Sequence, residues 1–400
     1  MAFHQTERLS DPMNPPASDI SKSPWLRGFR LSCFFPTILS AIFAGLCMPA
    51  ECQIKIAIVG ALTGPKSPYG LSQLKGAQLA AGELNSRGGI FGQTLDLVEV
   101  DDRGDPAQAG RLAVDLVFRD RVTAIVGSVD SGVTHVIAMI AVKGHVPHLT
   151  CVATDPSITR AGSPWTFRTL SDDTAQAKAL VAFLTRTQTI SRIALMAGNS
   201  RYGRMGSREF ARQARQAGFL IDGPLFLASN PEQNAESFRK AAASKPDAIV
   251  LWTLSKDGLA AARTLRKAGF AGLLAGGDGL ATPDFFATSS PETDGTIVTM
   301  PYNATSASIA NREFQNKFKA HFGEPPDSFS AHAYDTISLL ALALERSDLS
   351  RQGLRDSIAS LTTFTGVTGE IELDRTGNDR RPVKLARCAG GRLQPLEESR

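Results

Sequence analysis

Small polar residues stand at the ends of several apolar runs, where hydroxyls and backbone amides can meet a small charged molecule. The run from Val122 to Val126 leads into Gly127-Ser128-Val129-Asp130-Ser131-Gly132, after which the period becomes helical. The first N–H groups of a helix have no partner within it and carry partial positive charge, so this turn can hold a carboxylate, with the Ser131 hydroxyl as a further donor. Asp130 or Ser131 equally suits a plain helix cap, and one residue can serve both ends. The next run ends in Cys151-Val152-Ala153-Thr154-Asp155-Pro156, which sets a hydroxyl and open backbone groups beside the same crevice, or else forms an ordinary turn. Tyr202-Gly203 follows a later strand. Asp278 follows another, within Gly276-Gly277-Asp278-Gly279, where flanking glycines leave it little steric cover. It is placed either to face an ammonium or to serve as a turn aspartate.

Patterns that would make these residues catalytic are missing. The first strand turn reads Gly60-Ala61-Leu62-Thr63-Gly64-Pro65, without the glycine spacing that brings backbone against a pyrophosphate. A Walker sequence is absent, and Val129 stands where a nucleophile elbow around Ser131 would need glycine. His135, His145 and His148 lie near one another, but no Cys/His/Asp spacing matches a metal site. The expectation is a binding protein with no catalytic residue, cofactor or metal.

Such turns need rigid elements behind them. From Ile54 onward, apolar runs of strand length alternate with helical-period stretches, the signature of parallel βαβ architecture, and ligands of open α/β sheets bind at the carboxyl ends of the strands. The alternation restarts after Phe167. The predicted fold class is therefore α/β, with two doubly wound parallel-sheet lobes. A helical tract from about Ala307 to Leu361 has no sheet of its own and is expected to pack back on the first lobe, so that the chain crosses a multi-strand hinge. The corresponding division is residues 53–172 with 302–366 in one lobe and 173–301 with 367–400 in the other. Gly369–Leu373 and Val383–Arg392 read as terminal strands.

The chain has 400 residues, 42% hydrophobic and 20% charged, with 35 Gly and 22 Pro, as expected of a globular protein with many tight connections. Its net charge of +4 is spread without a Lys/Arg run, which argues against nucleic-acid binding. Arg27 and Arg30 precede an apolar stretch from Leu31 to Cys47, with small residues following, so residues 1–52 read as a polar extension and a cleaved signal peptide. Cys151 and Cys388 remain beyond it, and one disulfide is possible but not implied.

In order and spacing, several short segments resemble the periplasmic leucine/isoleucine/valine-binding proteins, the type I solute-binding family, over residues 53–400. They include Gly64-Pro65 with Tyr69-Gly70, Gly88-Gly89-Ile90, Asp101-Asp102 with Asp105-Pro106, Phe167-Arg168-Thr169, Tyr202-Gly203 and Ala331-His332-Ala333-Tyr334-Asp335. The resemblance implies a periplasmic protein that traps a small amino acid, branched-chain or otherwise neutral, by hinge closure. It would act as a monomer and deliver its ligand to the membrane permease of an ABC importer. Ser131 and Thr154 fall where the family holds an α-carboxylate. Val152 falls where a backbone carbonyl accepts from the ammonium, and Asp278 where a carboxylate pairs with it. Tyr202 corresponds to an aromatic that closes over the ligand, and Tyr69 to one beside its side chain. Asp278 replaces the usual longer Glu, and Leu254 stands where a tyrosine is common, so an aromatic or other small carboxylic acid is the alternative ligand. A ligand-sensing receptor is the competing class.

Overall fold

The computed structural model describes residues 53–160, 163–228, 231–286 and 291–396. The predicted leader, residues 1–52, lies outside them. The first sheet is built from β1 (Gln53–Gly60), β2 (Thr94–Asp101), β3 (Ala124–Gly127), β4 (His148–Thr150) and β5 (Thr166–Arg168). They are joined by α1 (Ser67–Ser86), α2 (Pro106–Phe118), α3 (Ser131–Lys143) and the single turn α4 (Ser157–Arg160). All strands run parallel, in the order β2-β1-β3-β4-β5. Ile54, Ile56 and Ile58 pack against α1 on one face, while Ala57, Val59 and Ile125 meet α2 and α3 on the other. Burial on both faces is why these strands read as continuous apolar runs.

The second sheet repeats the winding. Its parallel strands are β6 (Arg192–Ala197), β7 (Leu220–Phe226), β8 (Ala248–Trp252), β9 (Leu273–Gly276) and β10 (Ile297–Met300). Its helices are α5 (Asp173–Arg186), α6 (Arg201–Gln216), α7 (Pro231–Ala243), α8 (Ser255–Lys267) and the turn α9 (Pro283–Phe286). After β10 come α10 (Ile309–Phe322), α11 (Ser328–Glu345) and α12 (Arg351–Ser360), then β11 (Thr363–Gly366), β12 (Gly369–Glu372), β13 (Lys384–Ala389) and β14 (Arg392–Pro395). The strand order β14-β13-β10-β9-β8-β6-β7 shows the same arrangement as the first sheet with an added edge.

That edge adds two antiparallel pairings to the parallel sheet. β13 pairs antiparallel with β10, and β14 pairs antiparallel with β13, the second because the Gly390-Gly391 connection is too short for a parallel crossover. Gly369–Glu372, expected as a terminal strand, instead forms a separate hairpin with β11.

The helical tract packs on the first lobe through α1 against α11. Gly76 permits the close approach, since a Cβ there would lie 2.0 Å from the Ser330 carbonyl oxygen. Phe329, Ala333, Ile337 and Leu340 of α11 share a core with Ile56 and Leu74. The chain therefore passes between sheets after β5, after β10 and before β13. Arg381 ties two of these crossings, donating to the Thr169 carbonyl at 2.9 Å and to the Thr368 hydroxyl at 2.9 Å, while pairing with buried Asp379 at 2.6 Å. Cys151 and Cys388 sit in the cores of different lobes and are unpaired.

Candidate functional site

Both sheets reverse their strand order between the first and third strands they contribute, and the carboxyl ends there face one cleft. On the first-lobe wall, Asp130 is the N-cap of α3: its Oδ1 accepts from the N–H groups of Gly132 at 2.8 Å and Val133 at 3.0 Å. The capping question is thereby decided in favour of Asp130. Neither the N–H nor the hydroxyl of Ser131 has a partner among the described residues. Gly127 is obligatory just before this turn, with φ +119° and a would-be Cβ 1.9 Å from the Val59 oxygen.

Thr154 follows β4. Its backbone N–H is unpartnered, and its buried hydroxyl approaches the Asp173 carboxylate without forming a well-shaped hydrogen bond. The Val152 carbonyl likewise accepts nothing. This loop is held from behind by the buried Arg168 guanidinium, which donates to the Ala153 oxygen at 3.2 Å, the Asp155 oxygen at 2.8 Å and the Thr159 hydroxyl at 2.8 Å.

The second-lobe wall is wired differently. Ser200 caps α6, and Tyr202 in its first turn donates to Asp278 Oδ1 at 3.0 Å while accepting from the Gly279 N–H at 3.0 Å. The Asp278 N–H donates to Gln176 Oε1 at 3.1 Å, and Gln176 also accepts from Thr299 at 2.5 Å. The glycines beside Asp278 do not expose it as expected. A Cβ on Gly277 or Gly279 would lie 2.8 or 2.9 Å from the Tyr202 oxygen, so they make room for the tyrosine, and Asp278 is only 4% exposed. Burial pushes its carboxyl up to about 6, against the pull of the Tyr202 hydrogen bond. Nearby Asp173, fully buried and with neither oxygen bonded, is raised well above the carboxylate range by burial and by the Asp278 charge.

Contacts of Tyr69 and Arg201 hold the walls together. The Tyr69 hydroxyl meets Ser255 Oγ at 2.8 Å, and Arg201 pairs with Asp155 and donates to Ser157 at 2.9 Å. The narrow cleft between them, counted together with the solvent space at its mouth, takes in about 460 Å3. Tyr69, Ser131, Val152, Tyr202 and Asp278 line it, with Leu254 and Val129. Thr154 is buried behind the lining. Lys66, Ser200 and Phe329 were not anticipated. Phe329 stacks edge-on to Tyr69 at 5.1 Å, and its only sequence signal is the capping box that opens α11 at Asp327.

The family model for periplasmic binding proteins matches residues 53–391. The chain belongs to the periplasmic binding protein family. Among relatives of this binding protein, the leucine-, isoleucine-, valine-, threonine- and alanine-binding protein of Pseudomonas aeruginosa is 27% identical over 349 residues, covering 87% of this chain and 93% of the relative. A branched-chain amino acid transporter substrate-binding protein of Streptococcus pneumoniae, solved with isoleucine, superposes with TM-score 0.79 at 26% identity, covering 86% and 99% of the two chains. A solute-binding protein of R. palustris solved with benzoate superposes with TM-score 0.78 at 21% identity, covering 86% and 95%. Since that last likeness is one of fold alone, the fold does not choose the ligand; the side chains in the cleft must. Membership places the protein among extracytoplasmic binding components of transport.

Proposed function

We propose that this binding protein captures a neutral amino acid between its lobes and presents it to the membrane permease of an ABC importer. One observation carries the reading: the unpartnered donors of Ser131, with Thr154 buried behind them, stand across one cleft from the buried Asp278 carboxylate, which pairs with no cation among the described residues. A zwitterion leaving water needs both its charges matched. The hydroxyls and N–H groups of Ser131 and Thr154 receive the α-carboxylate. Asp278 and the Val152 carbonyl receive the ammonium. Tyr202 fixes Asp278 and closes one side, and Tyr69 closes the other through Ser255. No bond is made or broken. The ligand's free energy goes into stabilising the closed pair of lobes, the form that the permease would recognise. Export through cleavage of the leader within residues 1–52 belongs to the same reading, as does action as a monomer.

Thermal unfolding against a panel of amino acids and their deaminated acids tests this. A cognate amino acid at about a hundredfold excess over Kd should add about 2.7 kcal/mol to stability without turnover. Stabilisation by the deaminated acids alone would rule out the amino acid, and product formation would rule out a pure binding role.

A further inference from the structure

The carboxyl ends of the first sheet follow its strand order, and this places residues along the cleft in a definite sequence. Thr154 follows β4, Asp130 and Ser131 follow β3, Lys66 follows β1, and Gly104 follows β2. Neighbouring strands stand about 4.8 Å apart, so the β1 end lies roughly 10 Å from the β4 end, about the length of an amino acid with a short side chain. With the zwitterion held by Ser131 and Thr154, the side chain can run toward Lys66.

That end of the cleft is charged. Lys66 pairs with Asp130 Oδ2, and both side chains line the cleft, 27% and 9% exposed. The lysine stem is braced by Gly104, where a Cβ would come within 3.1 Å of Lys66 Cδ. Asp130 cannot follow a ligand, because its other oxygen caps α3. The pair is therefore fixed, neutral overall, and incompletely bonded: the ammonium has N–H groups beyond the one given to Asp130, and Oδ2 has lone-pair capacity beyond Lys66. An aliphatic side chain would cover this ion pair and desolvate it without returning a hydrogen bond, which is unfavourable. A singly charged group would meet one attractive and one repulsive partner. A neutral group that both accepts and donates satisfies the two together.

We propose that the Lys66–Asp130 pair is a specificity element that selects amino acids ending in a carboxamide over aliphatic ones. The carboxamide oxygen accepts from Lys66, and its NH2 donates to Asp130. The proposal rests on the amino-acid reading above, so its test is built to fail separately.

The test is calorimetric titration of the purified protein with glutamine, asparagine, leucine and isoleucine, and with glutaramic and isocaproic acids, which keep the amide and aliphatic ends but lack the amine. The wild type should bind glutamine or asparagine at least about tenfold tighter than leucine, the worth of one hydrogen bond to a charged group. In Lys66→Met/Asp130→Asn, where asparagine retains the helix cap, that preference should vanish or reverse. Lys66→Met alone, with the cap untouched, should shift it in the same direction if the double variant does not fold. Equal or tighter leucine binding by the wild type, or an unchanged ratio in the variants, overturns the proposal. If only the amine-free acids bind, the amino-acid reading fails, and the ratio of glutaramic to isocaproic acid, with its response to the variants, still decides what the pair does. Binding of none of these compounds overturns both.

Discussion

The two walls of the cleft present opposite chemistry in opposite states of readiness. On the first-lobe wall the groups are donors without partners among the described residues: the Ser131 N–H and hydroxyl, and behind them the buried Thr154 N–H, whose hydroxyl lies against Asp173. On the second-lobe wall the key group is an acceptor already fixed, since Asp278 is bonded by Tyr202 and its turn is anchored on Gln176. Unpartnered donors are satisfied by water when the lobes part, so the first wall can take up a carboxylate by itself. A buried acid with a raised pKa gains its partner only when a cation is brought to it. On the proposed reading, the first wall would be the docking surface, and the second the wall that rewards closure. Altering the two walls should have unequal effects.

The largest loss is expected on the second wall. Asp278→Asn keeps the size of the side chain but leaves a buried ammonium without its counter-charge, for which about 2 to 5 kcal/mol of binding energy is usual. Titration with the cognate amino acid measures this directly. A neutral effect, or tighter binding of an amine-free acid by the variant, would show that the second wall does not recognise a cation.

On the first wall, Ser131→Ala and Thr154→Ala each remove one donor and leave the backbone N–H in place. Each should cost about 1.5 to 3 kcal/mol of affinity. Because Asp130 and not Ser131 caps α3, Ser131→Ala should leave the melting temperature of the ligand-free protein nearly unchanged. A lowered melting temperature with unchanged affinity would assign Ser131 to the fold and empty the first wall of its role.

The asymmetry was only half visible in the sequence. Parallel strands buried on both faces leave continuous apolar runs, so β1, β3, β6 and β8 could be read directly, as could the serine and threonine at strand ends. The direction of β13 and β14 could not, because strand polarity depends on where the chain arrives after its last crossing. Nor could sequence choose between Asp130 and Ser131 as the cap, since both residue types cap well. Lys66 stands 64 residues from Asp130, and only the strand order β1-β3 makes them neighbours. Asp173 stands in the first turn of α5. Its burial beside Asp278 depends on how α5 meets β9 and β10, which no local pattern encodes.

Binding should also depend on pH. Burial pushes the Asp278 carboxyl up to about 6, against the pull of its hydrogen bonds from Tyr202 and Gly279. An ammonium binds only the carboxylate form, so affinity for an amino acid should be flat above about pH 6 and weaken about tenfold per unit below it. For an amine-free acid the sign reverses, because protonating Asp278 removes a repulsive charge and binding holds or tightens as pH falls. Titrations at several pH values with one amino acid and its deaminated acid separate the two.

The smallest effect is expected where the walls touch without the ligand. Arg201 of the second lobe reaches Asp155 of the first, and the pair belongs to closure and not to recognition. Arg201 is 36% exposed, so solvent screens much of the attraction. Losing it also does not strand the buried partner, because Asp155 still accepts from the Ser157 N–H at 2.9 Å and hydroxyl at 3.0 Å. Arg201→Gln should therefore weaken affinity by only about 0.2 to 1 kcal/mol, the range of exposed ion pairs, and by a similar amount for every ligand tested. A closing contact that is lost speeds escape from the closed form, so the change should fall on the dissociation rate, measurable by stopped-flow displacement. A loss as large as that of Asp278→Asn would mean that closure is held by the lobe edges and not by the ligand's charges, and the division of labour between the two walls would have to be abandoned.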